Sequence, residues 1–446
     1  MSQRIVERFK NKKVMILGFG REGKATFSFL RKNFPEMIIT IADKKEILPP
    51  DEKSKVLCGE HYLDTIGEFD IVMQSPGISL RNVNVPETTE ISGEMDLFLR
   101  FADCKKIGIT GTKGKTTTTT LIYNIIKESG KKCFLLGNIG IPVFERLEEI
   151  DENSIAVIEM SCHQLEFSKA SPNISIITNV YPEHLDHYNG FTGYVNAKLN
   201  IVKYQNENDY LIYNSDQGLD EFVDVSKLSG KTVPVSVNDK EKDEFLNSLN
   251  GINIHLKGEH MMQDVYFAVN VARILGIDEK YIVSSLQKFK GIEHRLEEVG
   301  TWENITFYND SIATIPHAVV CNVKALGNVS SLIFGGLDRG IDYSELIDFL
   351  ENSEIDNLIG LPETGYKIID ELQKLGVKKK MFKTDTMDEA VKVAYENTKK
   401  GKSCLFSPAA SSYNRYKNFE EKGRHFKTLC KELGTKQKQT AKKGEV

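Results

Sequence analysis

The segment 106–120, KIGITGTKGKTTTTT, constrains the fold and function of this chain more than any other. A short apolar run around Ile107 and Ile109 predicts a buried strand, and a glycine loop follows at once. Apolar residues then recur at helical spacing over 121–126, and Gly130 is expected to end the helix. Proteins hold nucleotide phosphates with this order of strand, glycine loop and helix.

The loop supplies the groups that a phosphate needs. Its glycines let backbone N–H groups approach an anion, and the helix N-terminus adds a partial positive charge. Lys115 is expected to reach the β- and γ-phosphates of ATP, and the Thr116 hydroxyl to face Mg²⁺. The general P-loop has a glycine where Ile109 stands, so this loop has the compact form GTxGKT; an ordinary glycine-rich turn is the alternative. The expected ATP contacts in the loop are Gly111, Thr112, Lys113, Gly114, Lys115, Thr116 and Thr117.

Composition narrows the class of protein. The length of 446 residues suggests about three domains. A net charge of −5 gives no reason to expect a nucleic-acid partner. Seven cysteines without a CxxC pair indicate reduced thiols. With no apolar run of membrane-spanning length and no signal peptide, we expect a cytoplasmic protein without a membrane partner.

Residues 1–103 are predicted to form a small α/β domain. A strand at 14–17 leads into the sequence GFGREG, and a second strand at 38–42 ends at Asp43, twenty residues after Gly23. This pattern is typical of a dinucleotide-binding turn with its ribose-binding acid, so a nicotinamide-dependent dehydrogenase is a rival hypothesis. A purely structural turn between strand and helix accounts for the glycines equally well.

Residues 104–296 and 297–434 are predicted to form two further α/β domains, followed by a flexible tail at 435–446. Their strands read as continuous apolar runs, which favours parallel sheets with ligands at the carboxyl ends of the strands. Glu159 follows one such strand, and the polar segment 215–257 is predicted to form short strands and loops. A transition-metal site made of Glu183, His184, Asp186 and His187 is an alternative that we do not expect, because no second His/Cys group stands at matching spacing.

Twelve motifs in chain order resemble the Mur ligases, the ATP-dependent amino-acid ligases of peptidoglycan precursor synthesis. They span about residues 5–430 and read GFGREG, SPGIS, GEMDLF, GITGTKGKTTTT, GNIG, IEMSCHQLE, ITNVYPEHLDHY, AKLNI, EHRLE, YNDSIAT, FGGLDRG and SPAASSYNRYKNFEEKG. The resemblance implies a Rossmann-like N-terminal domain, a central P-loop ATPase-like domain with a parallel sheet, and a Rossmann-like C-terminal domain. It also implies that the first domain holds the UDP of a substrate and not a dinucleotide.

The resemblance further implies a reaction and its partners. The expected enzyme adds D-glutamate to UDP-N-acetylmuramoyl-L-alanine through an acyl phosphate, with ATP cleaved to ADP and phosphate. Two Mg²⁺ ions are expected as cofactors, and the protein is expected to be a monomer. The alternatives are a sibling ligase that adds L-glutamate or another amino acid, a folylpolyglutamate-type enzyme, the dehydrogenase above, and a nucleotide-binding protein without catalysis.

Site residues are carried over from the matching motifs. Lys115, His184 and Lys198 are implied as catalytic, and the implied metal ligands are Thr116, Glu159, His184 and Lys198 as a carbamate. Outside the loop, Arg295 and Asp310 are implied to contact ATP. The implied UDP-substrate contacts are Arg21, Glu22, Asp43, Lys44, Lys45, Gly77 and Asn138, and the implied amino-acid contacts are Thr314, Arg339, Ser412 and Phe419.

The chain departs from the family pattern at several positions. Met261 and Asp264 replace two asparagines that bear on the adenine contacts, and Ile312 replaces a lysine near the expected glutamate site. Lys113 stands where asparagine is common, and Cys162-His163 stands where Ser-Phe is common. None of these departures falls on Lys115, Glu159 or Lys198.

Overall fold

The computed structural model describes residues 2–183, 187–188, 190–217, 219–249, 252, 259–289, 291–412 and 415–443. The side chains of residues 2, 220, 259–260 and 436–443 are outside this description. The chain divides into two compact units, Met1–Phe289 and Lys290–Val446. The first unit contains two β-sheets and the second unit contains one.

The first sheet has five parallel strands in the order β3-β2-β1-β4-β5. They are β1 Val14–Leu17, β2 Ile39–Asp43, β3 Ser54–Cys58, β4 Ile71–Gln74 and β5 Glu90–Ser92. The helices of this region are α1 Ser2–Phe9, α2 Arg21–Asn33 and α3 Glu94–Phe101. The order reverses around β1, so the loops after β1 and β4 diverge there and open a crevice at the carboxyl ends of the strands.

The second sheet has six parallel strands in the order β11-β10-β9-β6-β8-β7. They are β6 Lys105–Thr110, β7 Cys133–Gly137, β8 Ile155–Glu159, β9 Ile174–Ile177, β10 Tyr210–Asn214 and β11 Lys231–Val235. The helices are α4 Lys115–Glu128, α5 Cys162–Leu165, α6 Phe191–Lys203, α7 Glu244–Ser248, α8 Glu259–Ile274 and α9 Glu279–Lys288. The parallel pairing of these strands confirms the predicted parallel sheet. Strands such as β8 and β9 are buried along their whole length, as is typical of parallel sheets.

The polar segment 215–257 is more helical than predicted in its described part. It contains β11 and short 3₁₀ turns, as expected, but also the α-helix α7. The side chain of Asp243 caps that helix by accepting hydrogen bonds from the backbone N–H groups of Phe245 and Leu246, at 3.0 and 3.1 Å. The residue that caps this helix is therefore visible in the sequence, and its favourable effect on helix formation outweighs that of the polar composition.

The third sheet, in the second unit, has six strands in the order β12-β13-β17-β14-β15-β16. They are β12 Glu297–Trp302, β13 Ile305–Asn309, β14 Val329–Phe334, β15 Asn357–Gly360, β16 Lys380–Lys383 and β17 Ser403–Phe406. The helices are α10 Pro316–Leu326, α11 Ser344–Asn352, α12 Thr364–Lys374, α13 Met387–Asn397 and α14 Phe419–Lys443. All pairs are parallel except β12 with β13.

The flexible tail predicted at 435–446 stays a prediction. The backbone of α14 is helical through Lys443. Lysine, glutamine and alanine are good helix formers, so the basic composition of this segment is compatible with helix. None of the helices in the described ranges combines the length and apolar character needed to cross a lipid bilayer.

The GFGREG turn connects β1 to α2 through glycines with different roles. Gly18 has φ +87°, and a Cβ there would lie 2.6 Å from Ile78 Cδ1 and 2.9 Å from Ser75 Cβ. A Cβ on Gly23 would overlap the carbonyl oxygen of Gly18. Gly20 has no heavy atom near its Cβ position. Packing therefore requires the outer two glycines, whereas the middle glycine leaves open space at the N-terminus of α2.

We expect Gly23→Ala to destabilise the protein much more than Gly20→Ala. The added methyl at Gly23 forces α2 away from β1, whereas at Gly20 it enters open space on an extended backbone. The midpoint of thermal unfolding should fall by about 5 °C or more in Gly23→Ala relative to Gly20→Ala. Equal midpoints for the two variants would contradict the packing role of Gly23.

Candidate active site

The phosphate loop follows β6 and opens α4, as predicted. Gly111 has φ +151° and Gly114 has φ +81°, conformations that side chains rarely adopt. A Cβ on Gly111 would overlap the Thr178 hydroxyl, and a Cβ on Gly114 would lie 2.6 Å from Asp264 Oδ1. The loop thus passes closely between the end of β9 and helix α8.

Residues that follow β9 hold the loop by hydrogen bonds. The N–H of Thr112 donates to the Asn179 carbonyl at 3.0 Å, and the N–H of Lys113 donates to Asn179 Oδ1 at 2.8 Å. The Thr178 hydroxyl donates to the Lys113 carbonyl at 2.6 Å. The loop conformation is therefore fixed by the neighbouring strand and does not depend on its own sequence alone.

Lys115 is folded over the loop at the start of α4. Its Nζ donates to the carbonyl oxygens of Gly111 at 2.8 Å and Thr112 at 3.0 Å. Burial lowers the pKa of Lys115, and the negative charges of Glu159 and Glu183 offset part of that effect. The ammonium group thus lies where the loop would place phosphate oxygens.

The threonine run at the start of α4 uses several hydroxyls for structure. Thr118 donates to Asp264 Oδ1 at 2.9 Å, and Thr119 and Thr120 each donate to the carbonyl four residues earlier, at 2.7 Å. These three contacts give the hydroxyls a structural role at the start of α4. Asp264, one of the departures from the family pattern, is thereby tied to the helix that carries the loop.

Lys198 converges on the same carbonyl as Lys115. Its side chain projects from α6, is 2% exposed, and donates from Nζ to Gly111 O at 2.9 Å. Burial and the positive charge of Lys115 lower the pKa of Lys198 to about 8. With a pKa of about 8, Lys198 is a neutral amine in about a tenth of the molecules at pH 7.

Tyr194 is a site residue that the sequence reasoning missed. Its ring faces Lys198 Nζ at 4.6 Å from the centroid, and its hydroxyl lies 2.9 Å from Thr112 Oγ1. Tyr194 precedes Lys198 by four residues on α6, so the two side chains share one face of the helix. That spacing was the available signal, but it has meaning only once Lys198 is singled out.

Glu159 ends β8 with a buried carboxylate that is half satisfied. Its Oε1 accepts a hydrogen bond from Asn138 Nδ2 at 2.6 Å, and its Oε2 has no hydrogen-bond partner among the described residues. The residue is 1% exposed. A buried carboxylate oxygen without a donor is expensive, and oxygen ligands are those that Mg²⁺ prefers. The donor set therefore fits a magnesium ion.

Of the two remaining expected metal ligands, Thr116 and His184, the structure describes Thr116. Thr116 lies in the first turn of α4, half-buried, beside the loop. His184 lies outside the described residues. Lys113 is exposed, and its Nζ lies 3.7 Å from Glu183 Oε1. The structure brings Lys115, Lys198 and Glu159 to one end of the second sheet, and Thr117 is buried in the same turn.

The expected UDP contacts lie around the carboxyl ends of β1, β2 and β4. Asp43 accepts hydrogen bonds from the backbone N–H of Phe19 at 2.8 Å and of Lys45 at 2.9 Å, so its carboxylate organises the two loops. Arg21 donates to the carbonyl of Gly140, the last residue of the GNIG motif. The other expected members, Lys44, Lys45 and Gly77, are exposed at this edge.

Glu22, which is half-buried, differs from the other expected UDP contacts because its charge acts on the buried carboxyl of Glu94. Gln164 Nε2 donates to Glu22 Oε1 at 2.6 Å. Burial raises the pKa of Glu22 to about 7, against the lowering effects of Gln164 and Arg21. Glu94, whose Oε1 accepts from Thr26 at 3.0 Å, has a pKa raised by burial and by the charge of Glu22. The two carboxyls therefore disfavour each other's ionisation.

In the second unit, Asp310 is a structural hub and Arg295 is exposed. Asp310 accepts hydrogen bonds from the Ser407 hydroxyl at 2.7 Å, from the Leu296 N–H at 3.2 Å and from Asn322. Burial raises the pKa of Asp310 to about 6. Its hydrogen bonds thus hold together the loops after β13 and β17, from within one unit.

The expected amino-acid contacts lie on loops of the second unit. Arg339 and Thr314 are exposed, whereas Ser412 is buried and its hydroxyl has no hydrogen-bond partner among the described residues. Phe419 meets the His294 ring edge-on, with centroids 5.9 Å apart. Ile312, which replaces a lysine, is half-buried and adds no charge.

Lys422 is a buried cation that the sequence reasoning did not single out. It is almost completely buried, donates to the Gly335 carbonyl at 2.9 Å, and burial lowers its pKa to about 7. It lines a cavity of about 220 Å³ together with Gly336, Arg415 and Tyr416. The only sequence signal was its place in the NFEEKG motif.

Comparisons with known proteins identify the family of this chain. Residues 109–272 match the family described as the Mur ligase middle domain. The chain is 34% identical to the UDP-N-acetylmuramoylalanine–D-glutamate ligase of Acetivibrio thermocellus, over 96% of this chain and 98% of that protein. It is also 34% identical to the protein of that name from Streptococcus agalactiae, over 94% of this chain and 97% of the relative.

Solved structures show the same fold. UDP-N-acetylmuramate–alanine ligase MurC from Thermotoga maritima matches with a TM-score of 0.56 at 20% identity, over 93% of this chain and 98% of that chain. MurF ligase from the same organism, in complex with ADP, matches with a TM-score of 0.53 at 15% identity, over 96% and 97%. The expected α/β architecture with parallel sheets is confirmed, and the dehydrogenase alternative receives no support.

We expect Glu22→Gln to remove a pH-dependent loss of stability. The folded protein holds the Glu22 proton more tightly than the unfolded chain, whose glutamate titrates near 4.5. The contribution of the protonated group is therefore full below about pH 4.5 and is lost as the pH rises through about 7. At pH 8 the variant should be more stable than the wild type by about 1–3 kcal/mol, and at pH 4.5 the two should be equal.

Urea unfolding at both pH values measures this difference. Glu60→Gln is the control, because Glu60 is exposed and its substitution should change stability equally little at either pH. A Glu22→Gln variant that is less stable than the wild type at pH 8 would contradict the proposed burial of a protonated carboxyl.

Proposed function

Because the chain belongs to the Mur ligase family, we propose that it joins D-glutamate to UDP-N-acetylmuramoyl-L-alanine in peptidoglycan precursor synthesis, with ATP cleaved to ADP and phosphate. The observation that carries the proposal is the convergence of Lys115 and Lys198 on the Gly111 carbonyl of the phosphate loop. Glu159, with its unpartnered carboxylate oxygen, lies close enough to act on the pKa of Lys115. A cationic loop beside a carboxylate is what nucleotide and magnesium binding require.

The reaction needs an activated carboxyl group. A free carboxylate is a poor electrophile, so the γ-phosphoryl group of ATP is first transferred to a carboxylate oxygen of the substrate, and ADP leaves. The amine of the amino acid then attacks the acyl carbon, the C–O bond to phosphate breaks, and the amine proton is released. Phosphoryl transfer depends mainly on positioning and charge neutralisation.

The chain supplies both positioning and charge neutralisation for the transfer of the γ-phosphoryl group. Backbone N–H groups of the loop and the N-terminus of α4 orient the triphosphate, and Lys115 offsets its charge as the γ-phosphoryl group moves. Thr116 and Glu159 would hold one Mg²⁺, which when bound neutralises phosphate charge. Two anions, carboxylate and triphosphate, can then approach each other.

Lys198 has the properties of a lysine that forms a carbamate. Only the neutral amine adds CO₂, and burial beside Lys115 favours the neutral form of Lys198. The carbamate carries oxygen atoms in place of an ammonium, which suits a second Mg²⁺. We assign His184 as its companion ligand, from the motif alone.

The substrate groups are assigned to loops at the carboxyl ends of the strands. The UDP moiety is assigned to the loops around Arg21, Asp43 and Gly77, where Gly20 leaves open space at the N-terminus of α2. Asn138 is assigned a contact with the substrate as well as its bond to Glu159. The amino acid is assigned to Arg339, Thr314, Ser412 and Phe419 in the second unit, with the arginine fork opposite the side-chain carboxylate. Arg295 and Asp310 are assigned to ATP.

Phosphate release in the presence of ATP and UDP-N-acetylmuramoyl-L-alanine tests the reaction. Turnover with D-glutamate should exceed turnover with L-glutamate by about a hundredfold or more, since only one hand places both carboxylates and the amine correctly. Lys115→Ala should lower phosphate release by about a hundredfold or more. Lys127→Ala, an exposed lysine on the same helix, serves as the matched control and should retain activity.

The outcomes separate the alternatives. Preference for L-glutamate would identify a sibling ligase with the same mechanism. Absence of phosphate release with either hand, in protein with a wild-type circular dichroism spectrum, would contradict the ligase proposal. Normal turnover of Lys115→Ala would contradict the role of the phosphate loop.

We expect Lys198→Ala to lose most activity and to regain part of it with formate or acetate. The added carboxylate can occupy the space of the missing side chain and present oxygens to Mg²⁺. Lys203→Ala, at an exposed position of the same helix, is the control. Its activity should equal that of the wild type and should not change when formate or acetate is added. The same phosphate-release assay measures both effects, and full activity of Lys198→Ala without additive would exclude the carbamate.

A further inference from the structure

A second set of metal-type side chains lies in the first unit, outside the loop and Glu159. His163 comes from α5, Glu166 follows that helix, and His187 comes from the segment before α6. One ligand atom from each of the three residues lies within 4.8 Å of the other two. We propose that His163, Glu166 and His187 bind a transition-metal ion of the Zn²⁺ class, in addition to the magnesium of the ligase reaction.

The donor set favours that class of ion. Two imidazoles and one carboxylate form a three-ligand set that Zn²⁺ accepts with a fourth position open to water, whereas Mg²⁺ prefers oxygen ligands alone. His187 Nε2 lies 3.0 Å from Glu166 Oε2. Two ligand atoms on a tetrahedral Zn²⁺ are about 3.3 Å apart. A slight increase in the distance between His187 Nε2 and Glu166 Oε2 therefore makes room for the ion, which replaces the proton between these two atoms.

Neighbouring groups hold the ligands in place. The Tyr188 hydroxyl lies 3.0 Å from His163 Nδ1, and the two rings are stacked with centroids 5.4 Å apart. The His163 and His187 rings meet with centroids 4.3 Å apart. Asn200 Nδ2 donates to the Glu166 backbone carbonyl at 3.1 Å. Contacts of this kind orient metal-bound histidines and carboxylates in proteins.

The cluster is accessible and is distinct from the phosphate loop. Glu166 and His187 line a cavity of about 700 Å³, so an ion has a route to the ligands. Tyr188 stands between the cluster and the loop, with its ring centroid 5.8 Å from that of Tyr194, which faces Lys198. None of the three ligands is among the residues assigned to magnesium or ATP.

The sequence alone does not predict a transition-metal site at Glu183, His184, Asp186 and His187, because no second His/Cys group stands at matching spacing. The fold supplies the missing member, His163, from 24 residues before His187. In the described part of the chain, this is the one group of three metal-type side chains within such distances.

A cobalt titration of the metal-free full-length chain tests the proposal. With Mg²⁺ in large excess, the wild type should bind one equivalent of Co²⁺ and show the intense visible absorption of tetrahedral nitrogen and oxygen ligation. His163→Phe keeps an aromatic ring but removes both ligating nitrogens, and it should lose that absorption. His187→Gln should lose it as well, and Zn²⁺ should displace Co²⁺ from the wild type.

The controls make the result decisive. His61→Gln removes an exposed histidine that pairs with Asp64 at 2.9 Å, and it should leave the absorption unchanged. Zn²⁺ should raise the midpoint of thermal unfolding of the wild type and not that of His163→Phe. If His187→Gln does not fold, Glu166→Gln takes its place.

Equal Co²⁺ stoichiometry and spectra in the wild type and in the ligand variants would overturn the proposal. Weak octahedral absorption alone would also overturn it, because it would indicate binding by oxygen ligands elsewhere. Neither readout depends on ligase turnover, so a failure of this proposal is distinguishable from a failure of the proposed reaction.

Discussion

The Gly111 carbonyl, which accepts hydrogen bonds from both Lys115 and Lys198, is the contact on which the site depends. Two ammonium groups within hydrogen-bond distance of one oxygen repel each other, and burial adds to the cost of keeping both charged. The cost falls if an anion binds between them or if one lysine loses its charge. A triphosphate at the loop would provide the first remedy, and the proposed carbamate on Lys198 would provide the second. The same pair of contacts therefore supports both proposals.

That arrangement is stabilised from outside the loop. Asn179 and Thr178, after β9, fix the backbone of the loop, and Asp264 on α8 packs against Gly114 and accepts the Thr118 hydroxyl. Tyr194 bridges Lys198 and Thr112. Because each support comes from a different element, the loop holds its shape before any ligand arrives, which lowers the cost of binding.

The first sheet uses a familiar glycine motif for a different purpose than its pattern indicated. Gly18 and Gly23 are required by the packing of α2 on β1, and Asp43 is used by the backbone of Phe19 and Lys45. These contacts explain the motif without a dinucleotide. Only the open space at Gly20 points to a ligand. This is why GFGREG alone could not separate a dehydrogenase from a ligase, whereas the motifs that follow it along the chain could.

The sequence by itself determined the features that depend on neighbouring residues. Continuous apolar runs predicted the parallel strands β1, β6, β8 and β9, and the loop and helix after β6 followed from glycine, lysine and spacing, because these are local properties of the backbone. The tertiary structure alone decided which distant side chains meet and how deeply they are buried. It placed His163 beside His187, set Tyr194 under Lys198, left one oxygen of Glu159 without a donor among the described residues, and raised the pKa of Glu22 next to Glu94. Desolvation and interatomic distance arise from packing between elements far apart in the chain, so no local pattern could specify them.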